Sequence, residues 1–311
     1  MSDKKYFVIC NPASRSGKGR KLCERTIAIL KQKNVPFECA WTQKPIDAIN
    51  LAATAAQQQW ETVVAVGGDG TICEVISGLL KDNPLASNPK LGVIHVGTSP
   101  DFNKYHNIPT KIEEAIDVLL KGNSERIDIG KITYCLTDNQ EKDAVSYFAS
   151  NVNVGLGPLI AARANSRYRK YLGDTCGTLF ALLRSLIGFK KMTITLSAEG
   201  KNTDAGKLIN LTIGKDPYLA SGMRVLHNIT ADDGMLYLLA IQQTSFLCLL
   251  RAIPKLYNGN ILEYSGAHIA NIQRAEIDRC SNYPRVEFDG DVKGYLPATI
   301  EVLPKGLEVI I

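Results

Sequence analysis

The chain has 311 residues, enough for two domains of ordinary size, with an apolar fraction of 45% and a charged fraction of 22% that suit a globular protein in water. A formal net charge of +5 is too small for a nucleic-acid binder, which would show clustered basic stripes, but it suits nucleotide phosphates or an anionic membrane surface. No run of about 18 uninterrupted apolar residues occurs, so no spanning helix is expected.

The first third alternates strands and helices. Tyr6 to Cys10 reads as a strand ending at Asn11-Pro12, followed by a polar loop and a helical pattern over Lys21 to Lys33. Phe37 to Thr42 is a second strand, and Pro45 opens a helix with Ala48, Leu51, Ala52 and Ala55 on one face. Thr62 to Val66 is a third strand, Ile72 to Leu80 a helix, Leu91 to Val96 a fourth strand, and Thr110 to Leu120 another helix. Apolar strands alternating with helices predict a parallel sheet covered on both faces, which binds ligands beyond the carboxyl ends of its strands. Asn11-Pro12, Gly67-Gly68 and Gly97-Thr98 all fall at those ends.

After about Glu125 the pattern changes. Arg126–Thr133, Val145–Asn153, Met192–Ser197, Leu208–Ile213, Met235–Ile241, Ala267–Ile272, Arg285–Phe288 and Thr299–Leu303 read as short strands, a pattern that predicts a β-sandwich or open barrel. Two helical stretches interrupt them, Ile160–Phe189, broken near Gly173, and Ser245–Tyr257. The expected organisation is an α/β domain over 1–124, to which a tail near 300–311 returns, and a β-sandwich domain over 125–299.

Eight cysteines are scattered without a C-x-x-C pair, which argues for reduced thiols and a cytoplasmic setting; the N-terminal residues lack a signal-peptide pattern. The four histidines are isolated in sequence and read as structural or exposed.

The most informative run is Val63 to Thr71, VVAVGGDGT. Three glycines in four residues let the main chain approach a ligand closely and tolerate positive φ. Amides of such a turn beside a helix N-terminus can cradle phosphate, and Asp69 can hold a metal-bound phosphate. A plain strand-to-helix connection is the competing reading.

In order along the chain come Asn11-Pro12 with a Ser16, Gly17, Lys18, Gly19 loop, Thr42, GGDGT followed by Glu74, Gly97-Thr98 with Asp101-Phe102, DDGML at Asp232–Leu236, and DGD at Asp289–Asp291. With these motifs the chain resembles the diacylglycerol kinase catalytic-domain family, in particular the bacterial YegS/BmrU-type lipid kinases. The resemblance implies an α/β nucleotide domain, a C-terminal β-sandwich lipid domain, and transfer of the γ-phosphoryl group of ATP to a lipid hydroxyl with Mg2+. It implies an ATP site lined by Asn11, Thr42, Gly67, Gly68, Asp69, Gly70, Thr71, Glu74 and Thr98. Asp69 and Asp101 would organise nucleotide and metal, and Asp291 would be the general base. A structural magnesium would sit at Asp233 with the carbonyls of Thr230 and Met235. A lipid substrate implies docking at a membrane, peripherally on its inner face, and the basic, apolar segment Arg163–Lys191 suits such contact.

Four positions depart from the family pattern. Ser99-Pro100 replaces a Gly-Asn pair, Cys73 replaces a common Asn, and Asp291 replaces Glu, one methylene longer. They leave open two other readings, a soluble-metabolite kinase of NAD-kinase type and a nucleotide-binding protein without transfer activity.

Overall fold

The structure, a computed structural model, describes residues 5–81, 89–138, 144–204, 207–220, 222–242, 245–278, 280 and 282–311. The side chains of Ser16, Arg167, Lys170, Lys201, Asn202, Thr203, Asp204 and Ala220 lie outside what is described. The chain divides into two compact units, Met1–Ile127 with Lys305–Ile311, and Asp128–Pro304.

The first unit runs β1 (Tyr6–Cys10), α1 (Gly19–Gln32), β2 (Phe37–Trp41), α2 (Asp47–Gln57), β3 (Thr62–Gly67), α3 (Asp69–Leu80), β4 (Lys90–His95), α4 (Asp101–Tyr105) and α5 (Ile112–Lys121). Strands β2, β1, β3 and β4 are neighbours in that order and parallel, and the chain's last strand pairs with β4 through Val309 and Leu91. Both sheet faces are buried, as continuous apolar runs require. Val8, Val64, Val66 and Ile94 pack with Cys23 and Leu30 of α1 and Ile116 and Leu119 of α5. Helices α2 and α3 pack against each other so closely that a Cβ on Gly78 would stand 2.3 Å from the Ile49 carbonyl.

Element boundaries shift for local reasons. Helix α2 starts at Asp47, whose carboxylate accepts the amides of Gln43 and Lys44, so Pro45 lies in the capping loop. Helix α3 starts at Asp69, where an acid complements the helix dipole. Helix α4, unmarked by periodicity, occupies only five residues.

The second unit holds β5 (Ser124–Cys135, which begins in the first unit), β6 (Ala144–Phe148), β7 (Asn151–Gly155), α6 (Leu156–Arg163), α7 (Arg169–Leu172) and α8 (Asp174–Leu186). There follow β8 (Thr195–Ala198), β9 (Lys201–Asp204), β10 (Leu208–Gly214), β11 (Tyr218–Ala220), β12 (Met223–Arg224), β13 (Leu236–Gln242), α9 (Phe246–Asn258), β14 (Ala267–Ile272), β15 (Arg274–Ile277), β16 (Arg285–Phe288) and β17 (Asp291–Ile310). The predicted strand Val145–Asn153 is two strands, β6 and β7, and Thr299–Leu303 is the middle of the 20-residue β17.

The unit is a β-sandwich. Strands β14-β13-β10-β7-β16-β17 lie in that order and pair antiparallel, β15 joins β17 to β8 and β9, and β5 joins β17 to β6. Alternation sends Leu208, Leu211, Ile213 and Leu238 into the core between layers. Ile209, Tyr237 and Leu239 face the other way and pack with Leu156, Leu182 and Leu249 of α6, α8 and α9.

Candidate functional site

In the first unit the strand ends gather the predicted loops. The Asn11 amide donates to the Val66 carbonyl at 2.9 Å, and its side-chain amide donates to the Thr71 hydroxyl at 2.8 Å. The Thr42 amide donates to the Cys10 carbonyl, and the Val96 amide to the Gly67 carbonyl. Glu74 accepts the Ile46 amide at 3.3 Å and so ties α3 to the loop before α2. Thr71 and Thr42 are buried, which gives them a part in holding the loops together.

The glycines serve close packing, not positive φ. Gly68 has φ −92°, and a Cβ on Gly67 would meet the Thr71 hydroxyl at 2.3 Å. A Cβ on Gly97 would stand 2.5 Å from the Gly68 Cα. Two loops therefore touch main chain to main chain, a distance that no larger residue permits. Helix α3 opens without a side-chain cap on its N-terminal amides.

Asp69 lies in that first turn. Its Oδ2 accepts the Asp101 amide at 3.1 Å, and its Oδ1 faces His95 Nε2 at 3.5 Å. Oδ1 and Nε2 are enclosed and have no hydrogen-bond partner. Burial pushes the Asp69 carboxyl above its ordinary range, partly countered by His95. His95, read from sequence as structural, is thus a neighbour of the key acid; its place at the last residue of β4 was the available signal. Thr98, His95, Arg15, Arg25, Lys111 and Glu113 line a cavity of about 470 Å3, in which Arg25 is paired with Glu113 at 2.6 Å and Lys111 with Glu114 at 2.8 Å.

The off-pattern residues have local roles. The Ser99 hydroxyl donates to Asp101 Oδ2 at 2.9 Å, and Lys104 donates to Oδ1 at 3.1 Å, so Asp101 is held on both oxygens. Pro100 precedes α4, where its missing amide costs nothing. Cys73 is buried in α3. None of the eight cysteines forms a disulfide, although Cys10 and Cys39 lie with their sulfurs 3.8 Å apart.

In the second unit the expected magnesium ligands are already engaged. The Lys215 ammonium donates to Asp128 Oδ2 at 2.6 Å, to Asp233 Oδ1 at 2.5 Å and to the Met235 carbonyl at 2.9 Å. Asp233 also accepts the Thr230 and Met235 amides. Burial opposes its ionisation, but Lys215 and the two amides outweigh it and hold the carboxyl below its usual range. A magnesium ion on Asp233 and Met235 would have to displace a lysine charge from the same oxygens. The residues do not fit a metal, and the sequence expectation at Asp233, Thr230 and Met235 is corrected. Among the described residues no group of three acidic, His or Cys side chains is arranged to hold one.

The DGD segment is a two-residue hairpin turn. Phe288 pairs with Asp291, and Asp289 and Gly290 take φ 52° and 88°, the turn that Asp-Gly favours. Asp289 accepts the Ser150 amide. Asp291 is exposed and accepts from the Asn165 amide at 3.2 Å.

One acid that sequence reasoning passed over lies beneath this turn. Glu287 is buried, accepting from Asn153 Nδ2 and the Gly290 amide, both at 2.7 Å. Asn153 continues the network to Thr212 and Asn210 on β10. These groups form the polar end of a cavity of about 140 Å3, whose other walls include Leu156, Ile160, Leu182, Leu239, Leu249 and Leu256. Burial first, then Asp289 and Asp291, push Glu287 up to about 7 against the pull of its two donors. The signal was a lone acid in RVEF, on the strand face opposite Val286 and Phe288.

Comparison with known proteins fits these two units. Residues 5–132 match the diacylglycerol kinase catalytic domain, and residues 150–311, more than half of the chain, match the YegS C-terminal NAD kinase beta sandwich-like domain. A diacylglycerol kinase of Staphylococcus carnosus is 25% identical over 310 residues, 98% of this chain and 94% of that protein. One from Staphylococcus aureus is 25% identical over 318 residues, 98% and 92% of the two chains. A crystal structure of a diacylglycerol kinase from Bacillus anthracis superposes with a TM-score of 0.74 at 20% identity, covering 99% of this chain and 96% of that one. Yeast NADH kinase in complex with NADH shares the fold at TM-score 0.55 and 11% identity, covering 98% and 82%. With both halves matched in order, the chain belongs to the diacylglycerol kinase catalytic-domain family, with the YegS-type C-terminal domain.

Proposed function

We propose that the protein is an ATP-dependent, magnesium-requiring lipid kinase that phosphorylates a hydroxyl of a diacylglycerol-like lipid. The observation that carries this reading is the cavity of the second unit, mostly aliphatic along its walls, with Asn153, Asn210, Thr212, Thr178, Glu287 and Arg169 as its polar groups. Such a lining accepts a hydrocarbon chain and orients a hydroxyl at its few polar groups. In the first unit the uncapped start of α3 and the enclosed, unpartnered Asp69 Oδ1 supply amides and a carboxylate for a nucleotide. Asp69 would hold magnesium, which when bound with ATP neutralises charge on the β- and γ-phosphates. Arg15 stands at the cavity beside Arg25 and Lys111, which are paired with Glu113 and Glu114, and Asp101, fixed by Ser99 and Lys104, orients Asp69 through its amide.

The test is transfer of labelled γ-phosphate to diacylglycerol, other hydroxyl lipids and NAD. Phosphorylated diacylglycerol-type lipid is the expected product. Phosphorylation of NAD alone would establish the soluble-metabolite reading that the yeast NADH kinase likeness represents, and ATP binding without any transfer would discard kinase activity.

Access to a bilayer substrate falls to α8. Phe180 and Leu183 of α8, and Ile187 just past its end in extended conformation, are 47%, 38% and 64% exposed, with Arg184, Lys190 and Lys191 beside them in sequence. No helix among the described residues is long and apolar enough to cross a membrane. A basic, apolar face of this kind suits the interface of an anionic membrane. The double variant Leu183→Glu, Ile187→Glu is expected to weaken co-sedimentation with vesicles containing phosphatidylglycerol by about tenfold or more. Binding equal to that of the unaltered chain would remove α8 from membrane contact.

A further inference from the structure

We propose that Asn165, itself held by Arg169, positions the Asp291 carboxylate as the base for the acceptor hydroxyl. The assignment rests on the lipid-kinase reading, in which Asp291 is the base that the resemblance implies. It stands on a chain of polar contacts that lies wholly within the second unit.

Asp291 needs such support for two reasons. It is exposed at the exit of the hairpin turn, where a short acid is free to change rotamer. It also stands where the family carries Glu, so its carboxylate reaches one methylene less far. Asn165 is the one side chain among the described residues that donates to it. The two hydrogens of Asn165 Nδ2 go to the Gly290 carbonyl at 3.0 Å and to Asp291 Oδ1 at 3.2 Å. A single amide thus grips the main chain of the turn together with its acid. The second carboxylate oxygen is left for the acceptor hydroxyl.

Arg169 decides which way that amide faces. Its Nη1 donates to Asn165 Oδ1 at 2.7 Å. A guanidinium has donors only, so the amide oxygen must turn to Arg169 and the NH2 to the hairpin. Arg169 Nε lies 3.0 Å from Asp174 Oδ1 and donates to the Thr178 hydroxyl at 3.2 Å, and both partners belong to α8. The main chain is pinned as well, because a Cβ on Gly177 of α8 would stand 2.7 Å from the Arg169 nitrogen. Asn165 lies in the π-helical turn Ala164–Tyr168 and Arg169 opens α7, four residues on, a spacing that sets the two side chains on one side. Such wide turns recur at functional sites. The cation at the far end of the chain polarises the amide and strengthens its N–H toward the carboxylate. In the transfer itself the acceptor oxygen bonds to the γ-phosphorus, the bond from that phosphorus to the β,γ-bridging oxygen breaks, and ADP leaves. The hydroxyl proton passes to an Asp291 oxygen and later to water. A base displaced by about an ångström can lose on the order of 10²-fold in rate, which is the scale on which a positioning amide acts.

The experiment measures kcat, and KM for labelled ATP and for micelles of a short-chain diacylglycerol, on the full chain, together with its melting temperature. Asn165→Ala is expected to lower kcat by about tenfold or more while both KM values stay within about twofold. Asn165 is exposed, so the melting temperature should stay within about 2 °C. Asn165→Asp keeps the shape but has no N–H to give and sets a second carboxylate beside the first, and it is expected to lose at least as much. The decisive comparison is made in Asp291→Asn. A residue that acts only through Asp291 has nothing left to position there, so adding Asn165→Ala should cost no more than about a further twofold. Full kcat in Asn165→Ala or Asn165→Asp would overturn the positioning role and leave the lipid-kinase reading standing. So would a loss that follows a lowered melting temperature, a loss that adds in full to that of Asp291→Asn, or full activity in Asp291→Asn itself. Failure of the unaltered chain to phosphorylate any hydroxyl lipid would overturn both.

Discussion

Replacing Lys215 with methionine is expected to destabilise the second unit by about 3–5 kcal/mol, a larger stability loss than any other single change argued here. The Lys215 side chain is 2% accessible and that of Asp128 is 0%, so water cannot take over for the lost ammonium. One positive charge serves two carboxylates and a carbonyl, and Asp128 also accepts the Gly234 amide. Methionine keeps the volume but leaves two acids facing each other with no cation between them. The cluster anchors the turn before β13 to the start of β5, where the Asp128 amide donates to the Ala231 carbonyl at 2.7 Å. Loss of that anchor is read as a lower melting temperature, by roughly 10 °C for a unit of this size.

The same variant tests whether lysine does the work of a metal. In the unaltered chain without nucleotide, chelator and added magnesium should leave the melting temperature unchanged. In Lys215→Met, magnesium or calcium should restore part of the loss, because two acids and a carbonyl have then lost their shared ammonium and can take a divalent cation in its place. Chelator sensitivity of the unaltered, nucleotide-free protein would show that Lys215 does not replace the ion. The pH dependence has a definite sign. The Asp233 carboxyl is held below its ordinary value, so its contribution is present above that value and is lost as pH falls through the depressed one.

Much of the architecture was legible because its signals are local. Apolar runs ending at Asn11-Pro12, Gly67-Gly68 and Gly97-Thr98 specify parallel strands and place three loops at one sheet edge. The short strand at Ala267–Ile272 carries its own alternation, and its boundaries came out as read. The α/β half and the β-sandwich half could each be read from the spacing of helices and strands.

Long-range pairing was not legible. GGDGT was recognisable, and Gly67 packs on Thr71 of the same motif, but Gly68 stands against Gly97, which only the folded sheet brings near. The resemblance implied a cation at the DDG turn, while the cation that meets Asp233 is Lys215, 18 residues away. Glu287 drew no notice, because no sequence signal says which face of β16 a cavity will occupy. DGD drew attention to Asp291 for its motif, and the structure places that side chain on the exposed side of the turn. In each case the pattern found the loop, and the groups that hold it come from residues distant in sequence.

Asp69→Asn is expected to lower kcat/KM for phosphoryl transfer by about 10²–10³ while leaving the fold at least as stable. The two halves of this expectation have one physical source. Asp69 is half-buried at the start of α3, with Oδ1 enclosed, and burial raises its carboxyl above its ordinary range. A carboxylate raised on folding favours the folded state below its unfolded value and loses that advantage as pH rises through the folded one. At pH 8 the ionised acid therefore sits at a cost that an uncharged isostere escapes. Asn keeps an oxygen able to accept the Asp101 amide, so the α3–α4 contact survives. What it loses is the negative charge at Oδ1, the enclosed oxygen that has no hydrogen-bond partner. The signature is thus a weaker apparent magnesium affinity and a lower kcat/KM, with an equal or higher melting temperature at pH 8. An Asp69→Asn protein that keeps full activity would strip this residue of its part in organising the phosphates. One that unfolds more readily than the unaltered chain would show that the charge at this position supports the fold rather than the chemistry.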